Sequence, residues 1–188
     1  MLWVERVPER LIHTDFIAKP LQEQHAALDY AAYTSSPEVI RAHSYGRWPV
    51  EEFTLTEEKS LLAGHDQRHR AKQDFAFILL APDRASSLGC CYILPLLPFL
   101  TRVDSDHRSL SEHSAMVTFW LRQSEQESRL AEHIVRALHE WMTFEWRFDV
   151  HFFRVNPQET HSISALRANN LREVFSISHP LPYLFFGG

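Results

Sequence analysis

The sequence predicts a mixed α/β (α+β) fold, in which helices cover both faces of one mixed β-sheet of about six to seven strands. Residues 116–175 alternate between strand-like and helix-like segments. A strand, a helix and another strand in that order form a crossover between parallel strands. Residues 74–81 and 88–94 are apolar runs on either side of a Pro-Asp turn, which is typical of an antiparallel hairpin. The crossover and the hairpin together predict a mixed sheet.

Length and composition favour a single domain spanning residues 1–188. A chain of 188 residues fills one hydrophobic core well, whereas two full domains are crowded into that length. Hydrophobic residues make up 45% of the chain and aromatic residues 12%. This composition lies far from that of disordered proteins, so the chain is expected to fold without a partner.

The charge balance and the apolar runs exclude several classes of protein. Lys and Arg number 19 against 24 Asp and Glu, a net charge of −5, and without a basic cluster nucleic acid is not an expected partner. The longest apolar run, residues 90–100, is interrupted by two prolines and is too short to cross a bilayer. The first residues include acids, arginines and a proline, unlike a signal peptide. We therefore expect a cytoplasmic protein that does not enter membranes.

The first half of the chain contains a strand, three helices and the hairpin. Ser36 followed by Pro37 is typical of a helix start. Thr54 followed by Glu57 forms a capping-box pattern that opens a long polar helix. The predicted elements in order are a strand at residues 11–21, helices at residues 22–33, 36–43 and 54–72, and the hairpin strands.

The second half alternates strands and helices. The apolar side chains of Leu130, Ile134, Leu138 and Trp141 lie at helical spacing and predict one buried helix face. Residues 101–113 are polar without periodicity, so we expect a mobile loop there. The predicted elements are a strand at residues 115–124, a helix at 127–146, a strand at 149–155, a helix opened by Asn156 and Pro157, and strands at 171–178 and 183–186.

The segments from residue 112 to 175 resemble the cofactor half of the GCN5-related N-acetyltransferases (GNATs). The resemblance is carried by the strand-like AMVTFWLRQS, the amphipathic ESRLAEHIVRALHEWMTFEW, the strand-like DVHFFRV and the segment NPQETHSISALRANNLREVF. It implies an acyl-CoA N-acyltransferase-like sheet and acetyl-CoA as cosubstrate. It also implies direct transfer of the acetyl group to an amine of a small molecule or peptide.

In the resembled family the fourth and fifth strands separate, and the backbone of the fourth pairs with the pantetheine arm of acetyl-CoA. The same residues, apolar and alternating with others, are also typical of an ordinary buried strand. Both interpretations stay open for the residues to which the resemblance assigns this contact, which are Phe119, Trp120, Leu121 and Arg122.

Residues 123–129 correspond to the family's pyrophosphate loop and contain no glycine. Ser124 and Glu127 form a capping box, which uses helix amides that a phosphate needs. Two hypotheses therefore stay open: a working acetyltransferase, and an inactive module for binding or regulation that kept the fold. The loop residues that the resemblance assigns to the cofactor are Gln123, Ser128 and Arg129.

The resemblance also assigns Asn156 and Ser162 to the cofactor site. Many family members carry a tyrosine in the helix after the fifth strand that protonates the departing thiolate, and this chain has Leu166 there. His161 is a candidate for that acid. An attacking amine must lose a proton. The candidate bases are Glu112 and His113, just before the fourth strand, and His151 in the fifth, and Glu112 is preferred among them.

The remaining polar residues give weaker indications. His65 and His69 are four residues apart, but without a third ligand no metal site is predicted. Cys90 and Cys91 are neighbours in a predicted strand, which excludes a disulfide framework. A homodimer through the late strands is a further expectation. The aromatic and imidazole side chains that either line an acceptor pocket or form a secondary core are Tyr33, His43, Tyr45 and Trp48.

Overall fold

A computed structural model describes residues 4, 6–48, 52–103, 110–126 and 128–188. In this part of the chain eight strands form one sheet, in the order β1-β2-β3-β4-β5-β6-β8-β7. The strands are β1 (Leu11–Ile12), β2 (Ile17–Pro20), β3 (Phe75–Leu80), β4 (Ser87–Pro95), β5 (Ser114–Leu121), β6 (Val150–Val155), β7 (Arg172–Ile177) and β8 (Tyr183–Gly187).

The sheet is mixed, as the sequence predicts, because β5 and β6 are parallel while the other neighbouring strands are antiparallel. The strand count of six to seven is corrected to eight. The predicted strand at residues 11–21 is divided by a turn in which the His13 amide donates to the Phe16 carbonyl at 2.9 Å. This turn makes β1 and β2 an antiparallel pair.

Helices cover both faces of the sheet. The alternating side chains of β3 show this: Phe75, Phe77 and Leu79 pack with α5 and α6, whereas Ala76 and Ile78 pack with the first three helices. The helices are α1 (Ala26–Thr34), α2 (Pro37–Ser44), α3 (Leu55–Arg70), α4 (Leu96–Arg102), α5 (Leu130–Trp141) and α6 (Thr160–Ala168).

Local sequence signals explain several helix boundaries. The Glu57 amide donates to Thr54 Oγ1 at 3.2 Å and the Thr54 amide donates to Glu57 Oε2 at 2.7 Å, so the predicted capping box opens α3. Pro37 is the first residue of α2. The apolar stripe of α5 is buried, with Ile134 and Leu138 fully inaccessible to solvent.

Helix α4 was not predicted, because its residues belong to an apolar run that also fits a strand. Pro98 lies in its first turn, where a missing amide hydrogen leaves no helical bond unmade. Residues 104–109, the middle of the polar tract at 101–113, lie outside the described residues, so the prediction of a mobile loop is not tested there. Among the residues described, no helix is long and apolar enough to span a membrane.

Candidate functional site

The strands β5 and β6 separate along their length. They are paired from Ser114 with Val150 to Val117 with Phe153. Beyond that point β5 continues through Leu121, paired with β4 on its other side. The second half of β5 therefore has backbone groups facing the gap towards β6, where another extended chain can pair with them.

Gly89 on β4 lets β4 and β5 approach each other closely at the end of β5, where β5 separates from β6. Its φ angle is +143°, and a Cβ atom there would lie 2.0 Å from the Trp120 carbonyl oxygen. Only glycine fits that conformation and that space. Gly89 pairs with Leu121, so it fixes the end of β5 where the strands part.

The first cavity lies at this separation and has a volume of 530 Å³. It falls in the size range of small-molecule and cofactor sites. The end of β5 forms one wall, α2 another, and the start of α6 a third. Its lining residues are Glu38, Val39, Ala42, Trp120, Leu121, Gln123, Ser124, Gln126, Gln158, Glu159, Thr160, His161 and Ser162.

The structure brings five of the eleven sequence-predicted site residues to the first cavity. They are Trp120, Leu121, Gln123, His161 and Ser162. Leu166, in the position of the family tyrosine, is fully buried in the core and has no acidic group to offer.

Four other predicted residues, Phe119, Arg122, Ser128 and Arg129, do not line the first cavity. The Phe119 side chain is buried in the core on the α5 face. Arg122 Nη2 lies 3.5 Å from Ser35 Oγ, and the exposed Arg129 lies 3.8 Å from Glu132. Ser128 Oγ donates to the Glu125 carbonyl at 2.8 Å.

The loop before α5 uses several of its own amides. A 3₁₀ turn at Gln123–Glu125 comes first, and α5 begins only at Leu130, with Arg129 as its N-cap. The prediction that Ser124 caps this helix is therefore wrong, and its partner Glu127 lies outside the described residues. The amides of Glu125 and Ser128 donate to carbonyls within the loop. These two amides are thus not available to a pyrophosphate.

Asn156 is fully buried and joins the end of β6 to α2. Its Nδ2 donates to the carbonyl of Ala42, and its Oδ1 accepts from the Gln158 amide at 2.9 Å. The prediction that Asn156 directly caps the next helix is wrong, because a turn intervenes and α6 begins at Thr160. Asn156 therefore shapes the first cavity by holding α2 in place.

Glu112 is exposed just before β5 begins, at the end of the strand opposite to the first cavity. Eight residues separate it from Trp120, and the rise of a strand makes this about 26 Å. His151, near the same end of β6, bonds His139 instead, with Nε2 and Nδ1 2.8 Å apart. Neither side chain lines the first cavity.

A second cavity, of 270 Å³, lies under α1, α2 and α3. It includes Tyr33, His43 and Trp48 from the predicted aromatic patch. Trp120 lines both cavities, so the two adjoin at the end of β5. The lining residues are Asp29, Tyr33, Ile40, His43, Ser44, Trp48, Phe53, Glu58, Leu61, His65, Tyr92 and Trp120.

A histidine and a carboxylate connect the two cavities. His43 lines the second cavity and Glu159 the first, and His43 Nδ1 lies 2.7 Å from Glu159 Oε1. Glu159 Oε2 accepts from the Asn156 amide at 2.7 Å. This fixed carboxylate favours the tautomer with hydrogen on Nδ1, which leaves His43 Nε2 able to accept a proton.

The second cavity also contains two buried carboxyl groups, Asp29 and Glu58, which are 6% and 2% exposed. Burial and a hydrogen bond with Asp29 raise the pKa of Glu58 to about 8. Cys90 Sγ donates to Asp29 Oδ1 at 3.0 Å, and burial raises the pKa of the Cys90 thiol well above its ordinary value. Glu58 is therefore a carboxyl group that keeps its proton near neutral pH.

Sequence reasoning missed both acidic groups. Glu58 follows the exposed Thr56 and Glu57 in a polar helix, and only its place one turn after the N-cap Thr54 distinguishes it. His65 and His69 pack against aromatic rings, Tyr92 and Phe75 respectively, and burial lowers the pKa of His65 to about 4. The described residues contain no group of three or more side chains suited to a metal ion.

In the acyl-CoA N-acyltransferase fold, one parallel pair of strands in a mixed sheet separates, and a cavity lies at the separation beside the start of a helix. This chain has that arrangement. Solved acetyltransferases confirm this fold. The ribosomal-protein-S5-alanine acetyltransferase of Vibrio fischeri matches with a TM-score of 0.71 at 12% identity, covering 95% of each chain. RimL, a ribosomal L7/L12 acetyltransferase in complex with coenzyme A, matches with a TM-score of 0.72 at 12% identity, covering 96% of this chain and 97% of that one.

RimJ of Mycobacterium smegmatis, in complex with a CoA disulfide, matches with a TM-score of 0.69 at 15% identity, covering 98% of this chain and 87% of that one. No family model matches the sequence, and no curated protein matches it. The resemblance to the GNATs is thus confirmed in the fold, over nearly the whole chain.

Proposed function

We propose that this chain is a GNAT-superfamily N-acetyltransferase, which transfers the acetyl group of acetyl-CoA to a primary amine. The observation that carries the proposal is the cavity where β5 and β6 separate. Its wall is the part of β5 beyond Val117, where the ladder with β6 ends, and its volume suits an extended ligand arm. Two structural neighbours have coenzyme A or a CoA disulfide bound, which supports the same cosubstrate here.

Acetyl-CoA enters the first cavity with its pantetheine arm along Trp120 and Leu121. Gln123 and Ser162 offer polar atoms on opposite sides of this path. Because the loop amides of Glu125 and Ser128 are already bonded, most of the binding energy comes from the arm and less from the pyrophosphate. We therefore expect micromolar rather than nanomolar affinity, a free energy of about −8 kcal/mol.

The acceptor amine enters the second cavity and meets the thioester beside Trp120. His43 Nε2 takes a proton from the amine, while Glu159 stabilises the resulting imidazolium. The neutral amine nitrogen then bonds to the acetyl carbonyl carbon and the carbon–sulfur bond breaks. The nitrogen loses its second proton as it becomes an amide nitrogen, which balances the proton that the CoA thiolate gains. His161 remains a candidate for that last proton because it lines the first cavity.

The acceptor belongs to a small molecule or a peptide. Two of the solved neighbours, the S5-alanine acetyltransferase and RimL, are described as acting on ribosomal proteins, which supports a peptide amine. The aromatic walls of the second cavity, Tyr33, Trp48 and Phe53, suit an amine carried on an apolar body. Since acetyl-CoA is an intracellular metabolite, the proposal implies a cytoplasmic enzyme.

Calorimetric titration with acetyl-CoA tests the proposal. The wild-type protein is expected to bind with a Kd in the micromolar range. Ser162→Phe fills the first cavity and should raise the Kd at least about tenfold. The matched control is Ser164→Phe on the same helix, since Ser164 is exposed and does not line the cavity; its Kd should equal that of the wild type.

Absence of binding at millimolar acetyl-CoA would overturn the proposal and leave the inactive module. Equal weakening by both substitutions would mean that the ligand lies elsewhere on α6.

A further inference from the structure

A third cavity lies beside α4, on β4, β6 and the segment before β8, and has a volume of 410 Å³. It shares no lining residue with the first two cavities. We call it the arginine cavity after Arg47, Arg102 and Arg154, which all line it. The reaction proposed above uses none of these residues.

The charge on the walls of the arginine cavity is unbalanced. Its three arginines face one carboxylate among the described lining residues, that of Asp74. Asp74 Oδ2 already accepts from Arg68 Nε at 2.9 Å. Among the described lining residues, positive charge therefore exceeds negative charge.

Arg154 is the arginine whose contacts show most clearly that this charge lacks an anionic partner. Its Nε is buried without a hydrogen-bond partner, and the guanidinium forms no ion pair with any residue in the described part of the chain. Its contacts are with two rings: its Cζ lies 4.6 Å from the Tyr183 ring centroid and 5.5 Å from that of Phe99. Burial lowers the pKa of Arg154, which expresses the cost of leaving this charge unpaired.

The carboxylate of Glu159 acts electrostatically on Arg154, but both of its oxygens already have partners. Glu159 Oε1 is bonded to His43 and Oε2 to the Asn156 amide, both at 2.7 Å. Arg154 is half-buried, and its Nε is shielded from solvent without a partner. Because an unpaired, partly desolvated cation is unfavourable, an anion that reaches the guanidinium stabilises the folded protein.

We propose that the arginine cavity binds a carboxylate carried on a small apolar body. The planar fork of Arg154 matches a carboxylate through two parallel hydrogen bonds. The rest of the wall is largely apolar, so it suits a ligand with a hydrocarbon or aromatic portion. The apolar wall residues include Leu94, Phe99, Val103, Met116 and Leu181, and the ring of Tyr183 adds to them.

Thermal unfolding in the presence of benzoate tests this site in the full chain, at constant ionic strength. Benzoate should raise the Tm of the wild type saturably, by about 3–6 °C. Benzamide, which has the same shape without the charge, should not raise it. Arg154→Met should abolish the benzoate effect while leaving the Tm of the ligand-free protein unchanged or higher, because it removes an unpaired, partly desolvated charge.

Arg102→Gln gives a second variant whose folding is not at risk, since Arg102 is exposed at the end of α4. It should raise the benzoate Kd about threefold to tenfold. The control Arg172→Gln removes an exposed arginine that does not line the cavity and should leave the Kd unchanged. The proposal is overturned if benzoate produces no saturable shift, or the same shift in Arg154→Met. If inorganic phosphate raises the Tm saturably and benzoate does not, the assignment of a carboxylate ligand is overturned.

Discussion

Glu58 carries its proton because of where α3 places it. The side chain is buried beside Asp29, and two carboxylates in one buried site cannot both be ionised at an acceptable free energy. Burial also raises the pKa of Asp29, against hydrogen bonds from Glu58 and Cys90 that lower it. The result is an acidic pair with a proton to exchange, on the wall of the second cavity.

Stability should depend on pH through Glu58. Its pKa rises from 4.5 to about 8 on folding, so this group stabilises the fold fully below pH 4.5 and the contribution is lost as pH rises to 8. Glu58→Gln stays neutral and keeps a donor for Asp29. The Tm of the variant minus the Tm of the wild type should therefore increase by about 3–6 °C from pH 5 to pH 9. Thermal unfolding followed by circular dichroism measures this.

The control for Glu58→Gln is Glu173→Gln, because Glu173 is exposed on β7. Its Tm difference from wild type should be the same at pH 5 and pH 9. Parallel pH curves for wild type and Glu58→Gln would contradict a protonated Glu58.

His43 should matter for turnover more than for cosubstrate binding. In the proposed reaction it accepts the amine proton, so His43→Gln should lower kcat at least about 10²-fold with a panel of primary amines, measured as release of the CoA thiol. The Kd for acetyl-CoA should change less than about twofold, since His43 does not line the first cavity. Arg41→Gln, an exposed change on the same helix, should retain wild-type kcat. A loss under about threefold in His43→Gln would exclude it as the base.

Single residues of the site were only partly predictable. Trp120, Leu121 and Ser162 follow from their position in a recognisable strand and helix. The pairing of His43 with Glu159 does not, and neither do the buried carboxyl groups of Asp29 and Glu58, because such contacts are long-range: His43 and Glu159 are 116 positions apart in the sequence. Local patterns contain no information on which distant polar side chains meet.

Strands β4 and β5 depend on one glycine. Gly89→Ala forces a Cβ atom against the Trp120 carbonyl oxygen at a φ angle that side chains rarely adopt. Because the partner atom belongs to the backbone, the strand must shift, and we expect a loss of about 2–4 kcal/mol in the free energy of unfolding. Urea denaturation measures this loss, and acetyl-CoA titration should show weaker binding as the end of β5 moves.

Gly64→Ala in α3 is the matched control for Gly89→Ala. A Cβ atom at Gly64 meets only Arg68 Nη1, at the ordinary contact distance of 3.5 Å. Alanine favours a helix over glycine by about 0.5–1 kcal/mol, so the control should be slightly stabilised. Equal stability of Gly89→Ala and wild type would contradict the close approach.

Most helices and strands were predictable because they follow local periodicity and capping. The box of Thr54 and Glu57 and the apolar stripe of α5 are examples. The errors lie where the sequence pattern fits more than one local structure. A 3₁₀ turn at Gln123–Glu125 precedes α5, which begins only at Leu130. The apolar run beginning at Leu96 forms a helix. Such choices are decided by tertiary packing rather than by neighbouring residues.

For the whole molecule, the mixed sheet with helices on both faces could be predicted from the order of its elements. The right number of strands could not, because β1 contains only two residues. The placement of β8 between β6 and β7 is also a long-range pairing, which no local signal specifies. The cavities are formed by these long-range pairings. They were predictable only because the order of strands and helices resembles that of the GNATs.

Trp120 stands between two cavities whose other lining residues differ. In the proposed reaction each ligand thus has a chamber of its own, and neither must leave before the other arrives. Both ligands are held at once, in a ternary complex, and the acetyl group passes between them in a single displacement. No acetylated form of the protein lies on that path, so a chemical trap for an acyl-enzyme would find nothing to capture.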